Sequence, residues 1–273
     1  ALSSLGFNSE DNQQQIAQIL IEMLSKGTEE VQDRAVRTLN ELVRRNPGSQ
    51  EVIAKAGDPG MLVELLTTGI PNAKDYALWS LSLSIGTQNQ QIVLEAGGAL
   101  SLVEQLQDPR GFIQSQAAAA LAKLANSEEA RASIQKVGGV RPLISLLEAN
   151  VSAMGIAEQG DGSSAQQHAA AALADLSVDS ATRDEIVAAG GIEPLVKLLT
   201  AKNRDAKKFA STALARLSND HAATQSVIAD AGAIAPLVAL LDGNEGSEAQ
   251  QEAAGAIFSL ADHENNRQAI TET

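Results

Sequence analysis

Arg183-Asp-Glu-Ile-Val-Ala-Ala-Gly-Gly-Ile-Glu-Pro-Leu-Val-Lys-Leu-Leu199 is the stretch from which the fold can be read. A short apolar-periodic segment runs into a Gly-Gly pair. Pro194 follows Gly190 by four residues, where its missing N–H costs little in the first turn of a new helix. A Leu-rich turn then closes the stretch. Reading outward, the same signal returns in both directions. A glycine recurs at Gly57, Gly97, Gly138, Gly190 and Gly232, at spacings of 40, 41, 52 and 42. Pro142 and Pro236 hold the place of Pro194, and each opens the same kind of turn: Pro142-Leu-Ile-Ser-Leu-Leu and Pro236-Leu-Val-Ala-Leu-Leu.

Between these markers lies a longer apolar stripe at helical spacing. It reads Ala165, Ala169, Leu173, Leu176 in one unit and Ala206, Ala210, Leu214, Leu217 in the next. Its earlier copies are Val31, Ala35, Leu39, Leu42; Ala73, Ala77, Leu81; and Ile113, Ala117, Leu121, Leu124. Its last is Ala249, Ala253, Ile257, Leu260. Small residues at i and i+4 let helices approach closely, and the leucines fill the layer between units. Each unit is therefore a short helix, a glycine elbow, a second helix, a turn and a longer third helix. Internal repeats of this period mean a stacked array.

The Gly-Gly elbow before a Pro-Leu helix, with the stripe that follows it, resembles the armadillo repeat of β-catenin, importin-α and plant U-box proteins. The resemblance covers nearly the whole chain. It implies an all-α fold, a right-handed α-solenoid superhelix of about six three-helix repeats forming a single domain over 1–273. The units fall at about 1–46, 47–86, 87–126, 127–178, 179–219 and 220–262. Residues 263–273 match the first helix of a further unit and stop before its elbow, so the chain is expected to be a piece of a longer one. The fourth unit carries 11 surplus residues within an insertion loop at 149–164, which includes Glu158, Asp161 and the apolar Val151, Met154 and Ile156.

Composition narrows the function. The chain of 273 residues carries 34 acids against 20 bases, a formal charge of −14. Duplex nucleic acid needs a concentrated basic surface, so nucleic acid is not expected as a partner. An acidic surface steers encounters towards basic proteins or peptides. No apolar run reaches 18 residues, which excludes a spanning helix. There is no Cys, hence no disulfide or thiolate metal site. Phosphate-cradling loops, zinc-protease helices and nucleophile elbows are missing. His168, His221 and His263 fall one to a unit, and no nucleophile accompanies His168 and Asp175. No catalysis, cofactor or metal is expected.

The resemblance also implies where a partner would bind, because third helices in such arrays line a concave groove. Peptide-binding relatives present a Trp and, four residues later, an Asn. Those positions hold Arg37 and Glu41, Trp79 and Leu83, Ala119 and Lys123, Ala171 and Asp175, Thr212 and Arg216, and Gly255 and Ser259. Only Trp79 matches, so an importin-like grip on a peptide backbone is not carried over. Arg37, Glu41, Lys123, Asp175, Lys208 and Arg216 are the candidate partner-binding residues, with Tyr76, Trp79 and Leu83 as an apolar anchor at i, i+3 and i+7. A solvated helix face, or core packing for the aromatics, is the alternative. The expected function is a protein-binding scaffold or adaptor. The alternatives are the substrate-recognition region of a larger enzyme such as a U-box ubiquitin ligase, or a subunit bracing an assembly. Cytoplasm or nucleus is what the family implies, and no homo-oligomer is expected.

Overall fold

The structure is a computed structural model describing residues 10–46, 48, 50–148, 162–219, 221–242 and 247–273. Most of the expected insertion, 149–161, lies outside the described residues. The chain divides into two units, Ala1–Gln105 and Leu106–Thr273.

The first unit contains α1 (Glu10–Lys26), α2 (Glu29–Arg45), α3 (Gln50–Ala54), α4 (Pro59–Thr68), α5 (Pro71–Ser84), α6 (Gln90–Glu95) and α7 (Gly98–Gln105). Its core is aliphatic. Leu24, Leu39, Leu66 and Leu81 are each no more than 2% exposed, and α1 packs on α2 while α4 packs on α5. The buried Ser80 hydroxyl donates to the carbonyl of Ala54 at 2.6 Å, tying α5 to α3.

The second unit contains α8 (Gly111–Leu124), α9 (Glu128–Lys136), α10 (Val140–Glu148), α11 (Gly162–Leu176), α12 (Ser180–Ala188), α13 (Ile192–Leu198), α14 (Arg204–Ser218), α15 (Ala222–Asp230), α16 (Ile234–Asp242), α17 (Ser247–Leu260) and α18 (Glu264–Glu272). The long helices α8, α11, α14 and α17 pack each on the next. The stripe explains why. Ala169, Leu173, Ala210 and Leu214 are fully buried, and methyl side chains bring the helix axes close enough for the leucines to interdigitate. Each buried Leu contributes about 2 kcal/mol of transfer free energy, so Leu214→Ala would cost about 2–5 kcal/mol once its cavity is included.

The elbows are built as their glycines suggest, with one exception. Gly97, Gly138, Gly190 and Gly232 have φ between 75° and 82°. At Gly190 this closes α12 by a Schellman pair: the Gly191 N–H donates to Ile186 and the Gly190 N–H to Val187. Gly191 has a different reason to be glycine, since a Cβ there would lie 2.7 Å from Ile186 Cγ2. Across Gly232 the two helices α15 and α16 turn by 79°. Gly57 is the exception. It is not among the left-handed glycines, and its turn relies instead on Asp58, whose carboxylate accepts from the Met61 N–H at 3.0 Å, with Pro59 opening α4.

Candidate functional site

In the second unit, the third helices put the same register positions next to one another. Two residues before the stripe position stand Ala119, Ala171, Thr212 and Gly255; two after it stand Lys123, Asp175, Arg216 and Ser259. The first row is small: Ala119 and Thr212 are half-buried, Ala171 is buried and Gly255 is exposed.

Polar rungs flank this row. On one side the Arg216 guanidinium on α14 donates to Asp175 Oδ1 on α11 at 3.1 Å and also to the Ala174 carbonyl. On the other side Lys208 of α14 pairs with Glu248 of α17, which raises the lysine's pKa and lowers the carboxyl's. The Lys208 ammonium also sits 5.3 Å from the centre of the Phe209 ring, a cation–π contact. A third rung joins α11 to the start of α14. Asn203 Oδ1 caps α14 by accepting from the Ala206 N–H, and its amide donates to Gln167 Oε1, both at 3.0 Å. The Gln167 amide in turn donates to Asp205 at 3.4 Å.

These rungs hold three of the expected binding residues, and a fourth, Lys123, stands on the same row of helices. Asp175 and Arg216 face each other, Lys208 is engaged with Glu248, and Lys123 is half-buried on α8. The first unit holds the others. Arg37 is exposed and pairs with Asp33 at 2.9 Å. Glu41 accepts from Arg44 and Arg45, and the two guanidiniums hold its carboxyl down at about 2. Trp79 and Leu83 are half-buried.

Tyr76 corrects the expected anchor. It is only 3% exposed, its ring lies 5.6 Å from that of Trp79 at 47°, and its hydroxyl is buried without a partner. Burial raises its pKa well above the usual phenol value. Trp79 and Leu83 share its helical phase and stay half-buried, so packing within the first unit is what takes the Tyr76 ring into the core.

The structure also brings a serine to His168. The imidazole Nδ1 is 3.2 Å from the Ser115 carbonyl and 3.3 Å from its hydroxyl, linking α11 to α8. With the proton on Nδ1 the ring donates to the carbonyl, which can only accept; in the other tautomer Nδ1 accepts from the hydroxyl. Burial lowers the imidazole's pKa, disfavouring the cationic form. Either way the pair ties the two helices.

Sequence reasoning missed Gln167, Asp205 and Glu248. Their signal is positional. Gln167 and Lys208 stand six residues before their stripe positions, Asp205 and Glu248 nine before theirs. A residue at minus six on one third helix meets minus nine on the next.

A family model described as "Armadillo/beta-catenin-like repeat" matches residues 221–262. Vacuolar protein 8 of Candida albicans is 38% identical over 106 residues, which make up 38% of this chain and 18% of that protein. An engineered protein of known structure superposes with a TM-score of 0.78 at 30% identity, over 99% of this chain and 66% of its own. A second engineered protein gives 0.71 at 30% identity, over 90% of this chain and 96% of its own. A designed armadillo repeat protein in complex with the peptide (KR)4 gives 0.67 at 22% identity, over 89% and 98%. The match to Vacuolar protein 8 thus spans under a fifth of that relative's length. Among the described residues no single helix is long and apolar enough to cross a membrane.

Proposed function

We propose that this chain, which belongs to the armadillo-repeat family, is a non-catalytic scaffold that holds a protein or peptide partner against its third helices. The observation that supports this reading is the row α8, α11, α14 and α17. Consecutive third helices pack directly on one another, and side-chain rungs forty or so residues apart in sequence bridge them, as in Lys208–Glu248 and Asp175–Arg216. Such cross-links hold neighbouring units in one stagger, and a preorganised face loses little ordering entropy when it binds. The small row between the rungs lets a ligand approach the helix backbones closely. In the first unit, half-buried Trp79 is of the type that anchors interfaces.

The reading is tested by affinity capture followed by mass spectrometry, comparing the wild-type chain with Thr212→Trp/Gly255→Trp. Both positions are at least partly exposed, so the indoles fill the row while the core is spared. Loss of specific partners with an unchanged helical spectrum is the expected result. Retention of every partner by the double variant would overturn it.

A further inference from the structure

The chain's acidity is not uniform. The twelve residues Lys197–Lys208 contain five cations, Lys197, Lys202, Arg204, Lys207 and Lys208, against the single acid Asp205, inside a chain whose total is −14. They cluster for a structural reason. After α13 the backbone folds through successive short-range hydrogen bonds: Leu199 N–H to Val196, Thr200 N–H to Lys197 and Ala201 N–H to Leu198. The turn thus carries the chain from Lys197 to Lys202 in a tight backbone path, ending at the corner where α14 begins. Lys197, Lys202 and Arg204 are all exposed. Asn203, between the last two, is fixed twice, once as the cap of α14 and once to Gln167 on α11. The corner is thereby tied to its neighbour while its cations stay exposed.

We propose that this corner, between the second and third helices of the fifth repeat, is a docking site for a short acidic peptide segment of a partner protein. Charge and size together select that partner. Screening confines an exposed charge's influence to about 8 Å at physiological ionic strength, so a segment bearing a few carboxylates feels the cluster and little else. A long polyanion such as nucleic acid, or an anionic bilayer, would extend over the acidic remainder of the chain and be repelled. Asp205 offsets one of these charges and Glu248 pairs with Lys208, and the excess that remains is carried on the surface by Lys197, Lys202 and Arg204. Opposite charges across such a contact set on-rate and register. The proposal rests on the scaffold reading but uses a different surface, the rim beside the third-helix row.

The experiment titrates the whole chain into fluorescein-labelled octaglutamate and follows anisotropy at about 50 mM salt, where screening is modest. Saturable binding is expected, weakened about tenfold or more in Lys202→Glu/Arg204→Glu. Lys136→Glu/Arg141→Glu changes the net charge equally at exposed positions elsewhere and should bind like wild type. No saturable binding, equal loss in both variants, or tighter binding to octalysine would each overturn the proposal. So would preferential binding to single-stranded RNA or to phosphatidylserine vesicles in competition. A failure here with partner loss in Thr212→Trp/Gly255→Trp would remove the acidic-peptide site and leave the scaffold reading standing.

Discussion

Arg216 reaches across from one third helix to the next and binds at two levels, the Asp175 carboxylate at 3.1 Å and the carbonyl of the residue before it. A single guanidinium thus joins two repeats through a charge pair and a backbone acceptor. Both side chains are about one third exposed, so solvent screens the charge term.

A double-mutant cycle on Asp175→Ala and Arg216→Ala should return a coupling free energy of about 0.5–1 kcal/mol by urea denaturation. Arg216→Lys should recover only part of it, because an ammonium lacks the fork that serves both acceptors. A coupling indistinguishable from zero would mean the rung adds nothing to stability.

Two glycines should respond oppositely to alanine. Gly190 has φ +79°, and a side chain there incurs the left-handed penalty of about 1–2 kcal/mol. Gly255 lies within α17, and a Cβ added there would meet nothing within 4 Å. Gly255→Ala should therefore stabilise by about 0.5–1 kcal/mol. Thermal melts of the two variants check both signs at once.

Tyr76→Phe removes a hydroxyl that is buried without a partner. Relief of its desolvation should make the variant neutral or more stable, by up to about 1 kcal/mol. Partner capture should be unchanged, since the ring is in the core. A clear loss of stability would reveal a hydrogen bond to that oxygen.

Acid stability should carry a signature of His168. Burial lowers its folded pKa below the ordinary value of 6.5, so the unfolded chain takes the proton first. Stability is unaffected above that value, falls as pH drops from it towards the folded pKa, and levels off below. The difference in urea midpoint between pH 7 and pH 5 should therefore be smaller for His168→Gln than for wild type. Carboxylates common to both proteins cancel in that comparison.

Much of this fold was legible in the residue order. The spacing of Gly97, Gly138, Gly190 and Gly232 marks elbows that all take the left-handed backbone, and the Ala-Leu stripe identifies side chains that are buried almost without exception. Gly57 looked equivalent and is not, because Asp58 and Pro59 already start the next helix. The candidate site was less legible. Arg216, Asp175 and Lys208 read as groove contacts for a partner, whereas Arg216 is tied to Asp175 and Lys208 to Glu248.

The amino-acid order by itself determined which residues hide and which turn the chain, since both follow from the 3.6-residue period and from backbone sterics within one repeat. The stagger between neighbouring third helices is a different kind of quantity. It decides that Lys208 meets Glu248 forty positions away and that Arg216 meets Asp175 at forty-one. It arises from how two packed surfaces settle, and no spacing inside a single repeat contains it. Tertiary packing alone also turned Tyr76 inward and pinned Asn203 to Gln167, setting which charges are paired and which face outward.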